Sequence, residues 1–312
     1  MYAYSNVIVY FMGGEQWLIT NPTNYTKDGR TNPDVSRKMF LHAFCDRDYQ
    51  ITSDNASMLF EQLLSLVEQE SKSPTVYPDL SEWCMVFFGD SLLDYYTESY
   101  SITGVVNALS GAQVYNCGKG GTAAAEEPGV LLTLNRMVTR FLEQDTEGLD
   151  ETNNFLTGLR DYMQGGREDK KLCFVLMFGL NDYFGGLPVE NPEDSYDTGS
   201  YAGALRRGIS TLREAYPDAE ILVLAPPYTA GFSGGTEINS EVGGILTDYV
   251  DAAVRVAGET GVHCINNYAD SGINADNQKK YLADGTHPNE AGAFLLATKI
   301  IEYMGRVVAH EE

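Results

Sequence analysis

The sequence predicts an α/β protein: a five-stranded parallel sheet, doubly wound by helices and preceded by a small α+β appendage. Three observations predict it. Five short apolar runs recur from about Trp83 onward, segments of helical spacing separate them, and the first 80 residues keep neither rhythm. Strands joined through helices run parallel, and right-handed crossovers put those helices on both faces of the sheet.

In chain order, Asn6 to Met12 and Gln16 to Thr20 read as strands around Gly13-Gly14, and Asn21 to Asp34 is dense in the Asn, Pro, Gly and Asp that punctuate turns. Phe40 to Cys45 reads as a further strand. Ser53-Asp54-Asn55 offers cap chemistry before Met58, Leu59, Leu63, Leu64 and Val67, the apolar face of a helix ending near Glu70. Residues 1–80 are therefore expected to form the appendage and residues 81–312 the main domain. The sheet strands are expected at Cys84 to Phe88, Gln113 to Asn116, Leu172 to Phe178, Glu220 to Ala225 and Val262 to Asn266. Helices are expected over Ser99 to Ser110, Gly129 to Gln144, Glu151 to Met163, Gly199 to Ala215, Ser240 to Thr260 and Pro288 to about Val308. Pro288 suits a first helical turn, where no backbone donor is needed.

Composition narrows the function classes. Lys and Arg total 21 against 44 Asp and Glu, a formal charge of -23, so nucleic-acid backbones and anionic membrane surfaces are repelled. Five cysteines without a Cys-x-x-Cys pair, three of them (Cys84, Cys173 and Cys264) inside apolar runs, read as reduced and buried thiols. Four scattered histidines give no zinc-site spacing, so no metal is expected. Met1 to Gly14 has no basic start and only a short apolar stretch, which predicts neither a signal peptide nor a membrane span and makes the cytoplasm the default compartment.

Four segments carry chemistry. Gly89-Asp90-Ser91-Leu92 follows the first apolar run, so Ser91 is presented past the carboxyl end of a strand, where ligands bind in open α/β sheets. By itself this match also fits a serine capping a helix. Asn116-Cys117-Gly118-Lys119-Gly120-Gly121-Thr122 follows the second run, and one of its glycines can offer a backbone N–H to a developing oxyanion. Gly118, Gly120 and Ala123 also fit a relaxed dinucleotide-binding pattern, although no strand ending in an acidic residue follows about 20 residues on. Gly179-Leu180-Asn181-Asp182 follows the third run and can direct the Asn181 amide into the same cleft. Asp284-Gly285-Thr286-His287 sets a carboxylate and an imidazole three residues apart, as a serine nucleophile requires of its base and that base's orienting partner. His263 lies in an apolar stretch and reads as a core or sheet-edge histidine. Tyr183, Phe184 and Tyr228 follow strand ends and are expected to line the pocket.

These four segments, in this order, resemble the blocks of the SGNH, or GDSL-type, esterase and lipase superfamily over about residues 82–306. The resemblance implies a flavodoxin-like three-layer α/β/α sandwich with a five-stranded parallel sheet. It implies Ser91 as nucleophile, His287 and Asp284 as its partners, and an oxyanion hole built from the Ser91 N–H, Gly121 and Asn181. It also implies that Asp90 steadies the nucleophile turn and that Asp94 occupies an acidic position often seen just after it. No cofactor is expected. The expected substrate is a small-molecule or carbohydrate ester carrying a short acyl group, chiefly acetyl. Alternatives are a lipase- or lysophospholipase-type acylhydrolase, a non-catalytic carbohydrate-binding protein on the same scaffold, and a two-metal phosphoesterase, whose metal-ligand motifs Asp90 with Asp94 and Asn181-Asp182 loosely echo.

Overall fold

The computed structural model describes residues 9–10, 40–41, 77–94, 101–167 and 169–309. Contacts divide the chain into two units, Met1–Tyr77 and Pro78–Glu312. In the first unit, Val9–Tyr10 pairs antiparallel with Phe40–Leu41. The strand expected at Gln16 to Thr20 and the helix expected from Met58 to Glu70 lie outside the described residues.

The second unit holds a five-stranded, wholly parallel sheet: β1 (Trp83–Gly89), β2 (Gln113–Gly118), β3 (Lys171–Met177), β4 (Glu220–Ala225) and β5 (His263–Asn266), in the spatial order β2-β1-β3-β4-β5. β1 is buried along its whole length and β3 from Leu172 onward, which is why both read as continuous apolar runs rather than alternating ones. The chain leaves β1 for one edge of the sheet and returns past it to β3. The gap between the carboxyl ends of β1 and β3 is therefore the topological switch point, the crevice where such sheets bind ligands.

Among the described residues, six helices of two turns or more wrap the sheet: α1 (Ile102–Ser110), α2 (Leu134–Glu143), α3 (Asn154–Gly165), α4 (Tyr201–Ala215), α5 (Leu246–Thr260) and α6 (Glu290–Ala309). α1 packs against α6, while α2, α4 and α5 pack in series. With right-handed crossovers these are the two outer layers of a flavodoxin-like α/β/α sandwich. Between the layers lies a core that includes Phe87, Phe88, Phe141 and Phe174, all at most 2% exposed. The Phe88 ring meets Phe141 edge-on at 5.3 Å and stacks on Phe174 at 6.1 Å.

Several helices start later than their apolar periodicity predicts, because the residues ahead of them serve as caps. Ser101 takes the Gly104 N–H ahead of α1, and Ser200 takes that of Gly203 ahead of α4. Pro288 does not open α6: it forms an isolated bridge with Leu282, and the capping oxygen comes from Asn289, which accepts from Gly292 N at 3.1 Å. No helix among the described residues is long and apolar enough to cross a membrane.

Candidate active site

β1 delivers Ser91 to the crevice at the start of a single helical turn, Ser91–Asp94. The cap of that turn is Asp90, whose Oδ1 accepts the Leu92 N–H at 2.9 Å. Ser91 is thus relieved of the capping role that its position first suggests, and its hydroxyl is free to point elsewhere. Burial pushes the Asp90 carboxyl up to about 7; the Leu92 N–H pulls it down, the nearby Asp182 carboxylate pushes it up, and the Asn181 side chain pulls it down.

The hydroxyl meets an imidazole 196 residues further along the chain: His287 Nε2 lies 2.9 Å from Ser91 Oγ. His287 Nδ1 lies 2.7 Å from Asp284 Oδ2. Asp284 Oδ1 accepts the backbone N–H groups of Thr286 at 3.0 Å and His287 at 2.8 Å, so the carboxylate is fixed by the turn that carries the histidine. Burial acts to raise the Asp284 pKa, but the hydrogen bonds from His287 and Thr286 outweigh it and hold the carboxyl below its usual range. Asp284 is therefore an anion at neutral pH, the form that keeps a proton on Nδ1 and leaves Nε2 as acceptor.

Facing Ser91 are the two loops expected to supply oxyanion donors. Gly121 has a φ of 80°, a left-handed backbone open to glycine at little cost. Nothing lies within 4 Å of the position its Cβ would take, so conformation, and not crowding, is what calls for glycine there. Its neighbours are tethered: Gly120 N–H donates to Asp94 Oδ2 at 2.7 Å, and Thr122 Oγ1 donates to Lys119 O at 2.7 Å and Gly89 O at 3.2 Å. Asn181 sits in the single helical stretch Leu180–Gly185 after β3, and its Nδ2 donates to Thr122 O at 2.9 Å. Gly179, at the entry to that stretch, has a φ of 124°, and a Cβ there would come within 2.6 Å of Pro226. The crevice floor thus needs glycine on two counts.

The three aromatics expected along the pocket differ in exposure. Tyr183 is fully buried, its hydroxyl 3.4 Å from Phe232 O, and Tyr228 is buried against Ile273 and Leu282. Phe184 is half-buried, its ring centroid 5.5 Å from that of Phe232. Thr229 was not anticipated: fully buried, it bonds Thr286 Oγ1 at 2.8 Å while Ala230 N–H donates to Gly285 O at 2.8 Å, tying the loop after β4 to the turn bearing Asp284 and His287. A threonine after a strand carries no sequence signal of such a tie. His263 stands at the other end of the sheet, and His42 and His310 lie outside the described residues. Among the described residues, no group of three or more His, Cys, Asp or Glu side chains is arranged to hold a metal ion.

A serine, a histidine and an aspartate thus stand in hydrogen-bond series at the switch point of a flavodoxin-like sheet. The chain belongs to the GDSL-like lipase/acylhydrolase family, whose model matches residues 87–293. Solved structures agree in fold. One, 24% identical, gives a TM-score of 0.56 and covers 74% of this chain and 98% of its own. A protein from Lactobacillus plantarum is 18% identical with a TM-score of 0.53, covering 74% of this chain and 98% of its own. A carbohydrate acetylesterase from Sinorhizobium meliloti is 15% identical with a TM-score of 0.47, covering 72% and 99%. No curated protein sequence matches the chain.

Proposed function

We propose that the chain is a serine esterase that hydrolyses short-chain acyl esters, chiefly O-acetyl groups on a carbohydrate, through a Ser91-His287-Asp284 acyl-enzyme mechanism. The observation that carries this reading is the unbroken series from Ser91 Oγ to His287 Nε2 at 2.9 Å and from His287 Nδ1 to Asp284 Oδ2 at 2.7 Å. Ser91 Oγ attacks the ester carbonyl carbon while His287 Nε2 takes its proton, and Asp284 steadies the resulting imidazolium. The carbonyl oxygen becomes an oxyanion received by the backbone N–H groups of Ser91 and Gly121 and by the Asn181 amide. His287 then gives its proton to the departing alkoxide, leaving an acyl-Ser91 ester. Water, deprotonated by the same Nε2, attacks that ester and releases the acid and free Ser91.

The short-acyl preference rests on the acidic chain, whose charge of -23 disfavours anionic membrane surfaces. A second reading, hydrolysis of longer acyl chains, is favoured by Leu131, Ile238 and Val242, which are 57%, 59% and 63% exposed on segments between sheet strands and their following helices. Hydrolysis of p-nitrophenyl acetate against the octanoate separates the two readings. Release of acetate from acetylated xylan or acetylated sialic acid tests the carbohydrate portion. A wild-type protein that turns over none of these esters, with Ser91 unlabelled by a fluorophosphonate, would overturn the esterase reading.

A further inference from the structure

We propose that Asp182 is a positioning residue of this site: its carboxylate anchors the loop that presents the Gly121 N–H and sets that donor against its partner, the Asn181 amide. The assignment rests on the serine-esterase reading and extends it to a residue that touches no reacting atom. Asp182 is fully buried, and each of its oxygens takes one backbone N–H: Oδ2 that of Ala124 at 2.9 Å and Oδ1 that of Ala125 at 2.8 Å. The adjacent Asn181 holds Thr122 O at 2.9 Å. Two consecutive side chains on one turn therefore grip one tetrapeptide, Thr122 to Ala125, immediately after Gly121.

The side of Gly121 where a Cβ would stand is open space, so no packing from that side holds it. Its location is set by its flanks: Asp94 through Gly120 on one side, and Asn181 with Asp182 on the other. A buried carboxylate is costly unless its oxygens are hydrogen-bonded, and bonds from backbone N–H groups to a charged acceptor are about twice as strong as neutral ones. Of side chains this size only Asp offers two acceptor oxygens. Asparagine would turn an N–H2 toward one of the two backbone N–H groups and lose that contact. Burial pushes the Asp182 carboxyl up to about 6, with the Ala125 and Ala124 amides pulling the other way, so at pH 8 it is in its acceptor form.

The test is Asp182→Asn in the full chain at pH 8, with p-nitrophenyl acetate as substrate and fluorophosphonate labelling taken to completion to count reactive Ser91. Displacing a donor by about 1 Å can cost on the order of 100-fold, so kcat per labelled site should fall about 10- to 100-fold with KM changed less than threefold. Binding of a trifluoromethyl ketone, which forms the tetrahedral oxyanion, should weaken in parallel. A purely structural role would lower the number of labelled sites and leave turnover per site intact; turnover per site within twofold of wild type overturns the assignment. Should the variant fail to fold, amide exchange in wild-type protein labelled with 15N-alanine decides: protected Ala124 and Ala125 support the anchor, and exchange as fast as exposed loop amides overturns it. A wild type with neither ester turnover nor serine labelling overturns the esterase reading, and this assignment with it.

Discussion

Two histidines in this molecule each stand between a carboxylate and a hydroxyl, at opposite ends of the same sheet. At the carboxyl end, His287 links Asp284 at 2.7 Å to Ser91 at 2.9 Å. At the amino end, where β4 and β5 begin, His263 links Glu220 at 3.0 Å to Tyr303 at 2.7 Å. Residue types and distances barely separate them; the surroundings do. Asp284 is locked by two backbone N–H groups of its own turn, and Ser91 faces the Gly121 and Asn181 loops. Tyr303 lies on α6, where backbone N–H groups are spent on the helix itself. Its phenol is pushed up by burial, with Cys264 adding to the rise and Arg306 opposing it, so it stays a protonated donor. A hydroxyl beside a histidine becomes a nucleophile only where something waits to receive the negative charge.

Breaking each end in turn should expose that contrast. The largest effect is expected for Ser91→Ala or His287→Ala, each lowering kcat for p-nitrophenyl acetate by about 10,000-fold or more, while circular dichroism and Tm show the fold retained. Asn181→Ala should follow, with a kcat loss of about 100- to 1,000-fold, roughly 3 to 4 kcal/mol of transition-state stabilisation. Thr229→Val removes the bond to Thr286 but keeps the volume; one lost hydrogen bond, about 1 kcal/mol, should cost about fivefold in kcat/KM. His263→Phe, by contrast, should leave kcat within twofold and lower stability by about 1 kcal/mol in denaturant unfolding, the signature of an end that only holds structure. A separate effect, on stability alone, concerns pH. Asp90 keeps its proton up to about 7 in the folded state and only to about 4 when unfolded, so stability is lost as pH rises through that window. Asp90→Asn cannot ionise and should therefore gain more in Tm relative to wild type at pH 8 than at pH 5.

Most of the scaffold was legible because buried parallel strands announce themselves as unbroken apolar runs; Glu220 to Ala225 is read to the residue, and the other strand ends fall within two residues. What was not legible depends on direction. Tyr183 and Tyr228 follow strand ends, where an aromatic ring can turn toward the cleft or beneath it, and their burial against distant partners such as Phe232, Ile273 and Leu282 has no counterpart in the spacing. The late start of α5 has a similar origin: apolar spacing extends back toward Ser240, but Ser240 bonds Gly186 O and Gly243 N, and the Asp248 carboxylate takes the Ile245 N–H. Short polar side chains competing locally for backbone groups leave no periodic trace. Asp182 is hidden for the complementary reason that an Asn-Asp pair reads as a turn, and nothing in its neighbours reveals two amides from 57 and 58 residues away.

The pairing of Ser91 with His287 across 196 residues has a consequence for how this protein comes to life on the ribosome. Ser91 and the loops after β2 and β3 precede in the chain the turn that carries Asp284 and His287, so under the proposed mechanism the hydroxyl of a nascent chain stays inert until that later turn has docked. Under the proposed mechanism, ester turnover then reports that the turn after β1 and the turn beyond β5 have come together.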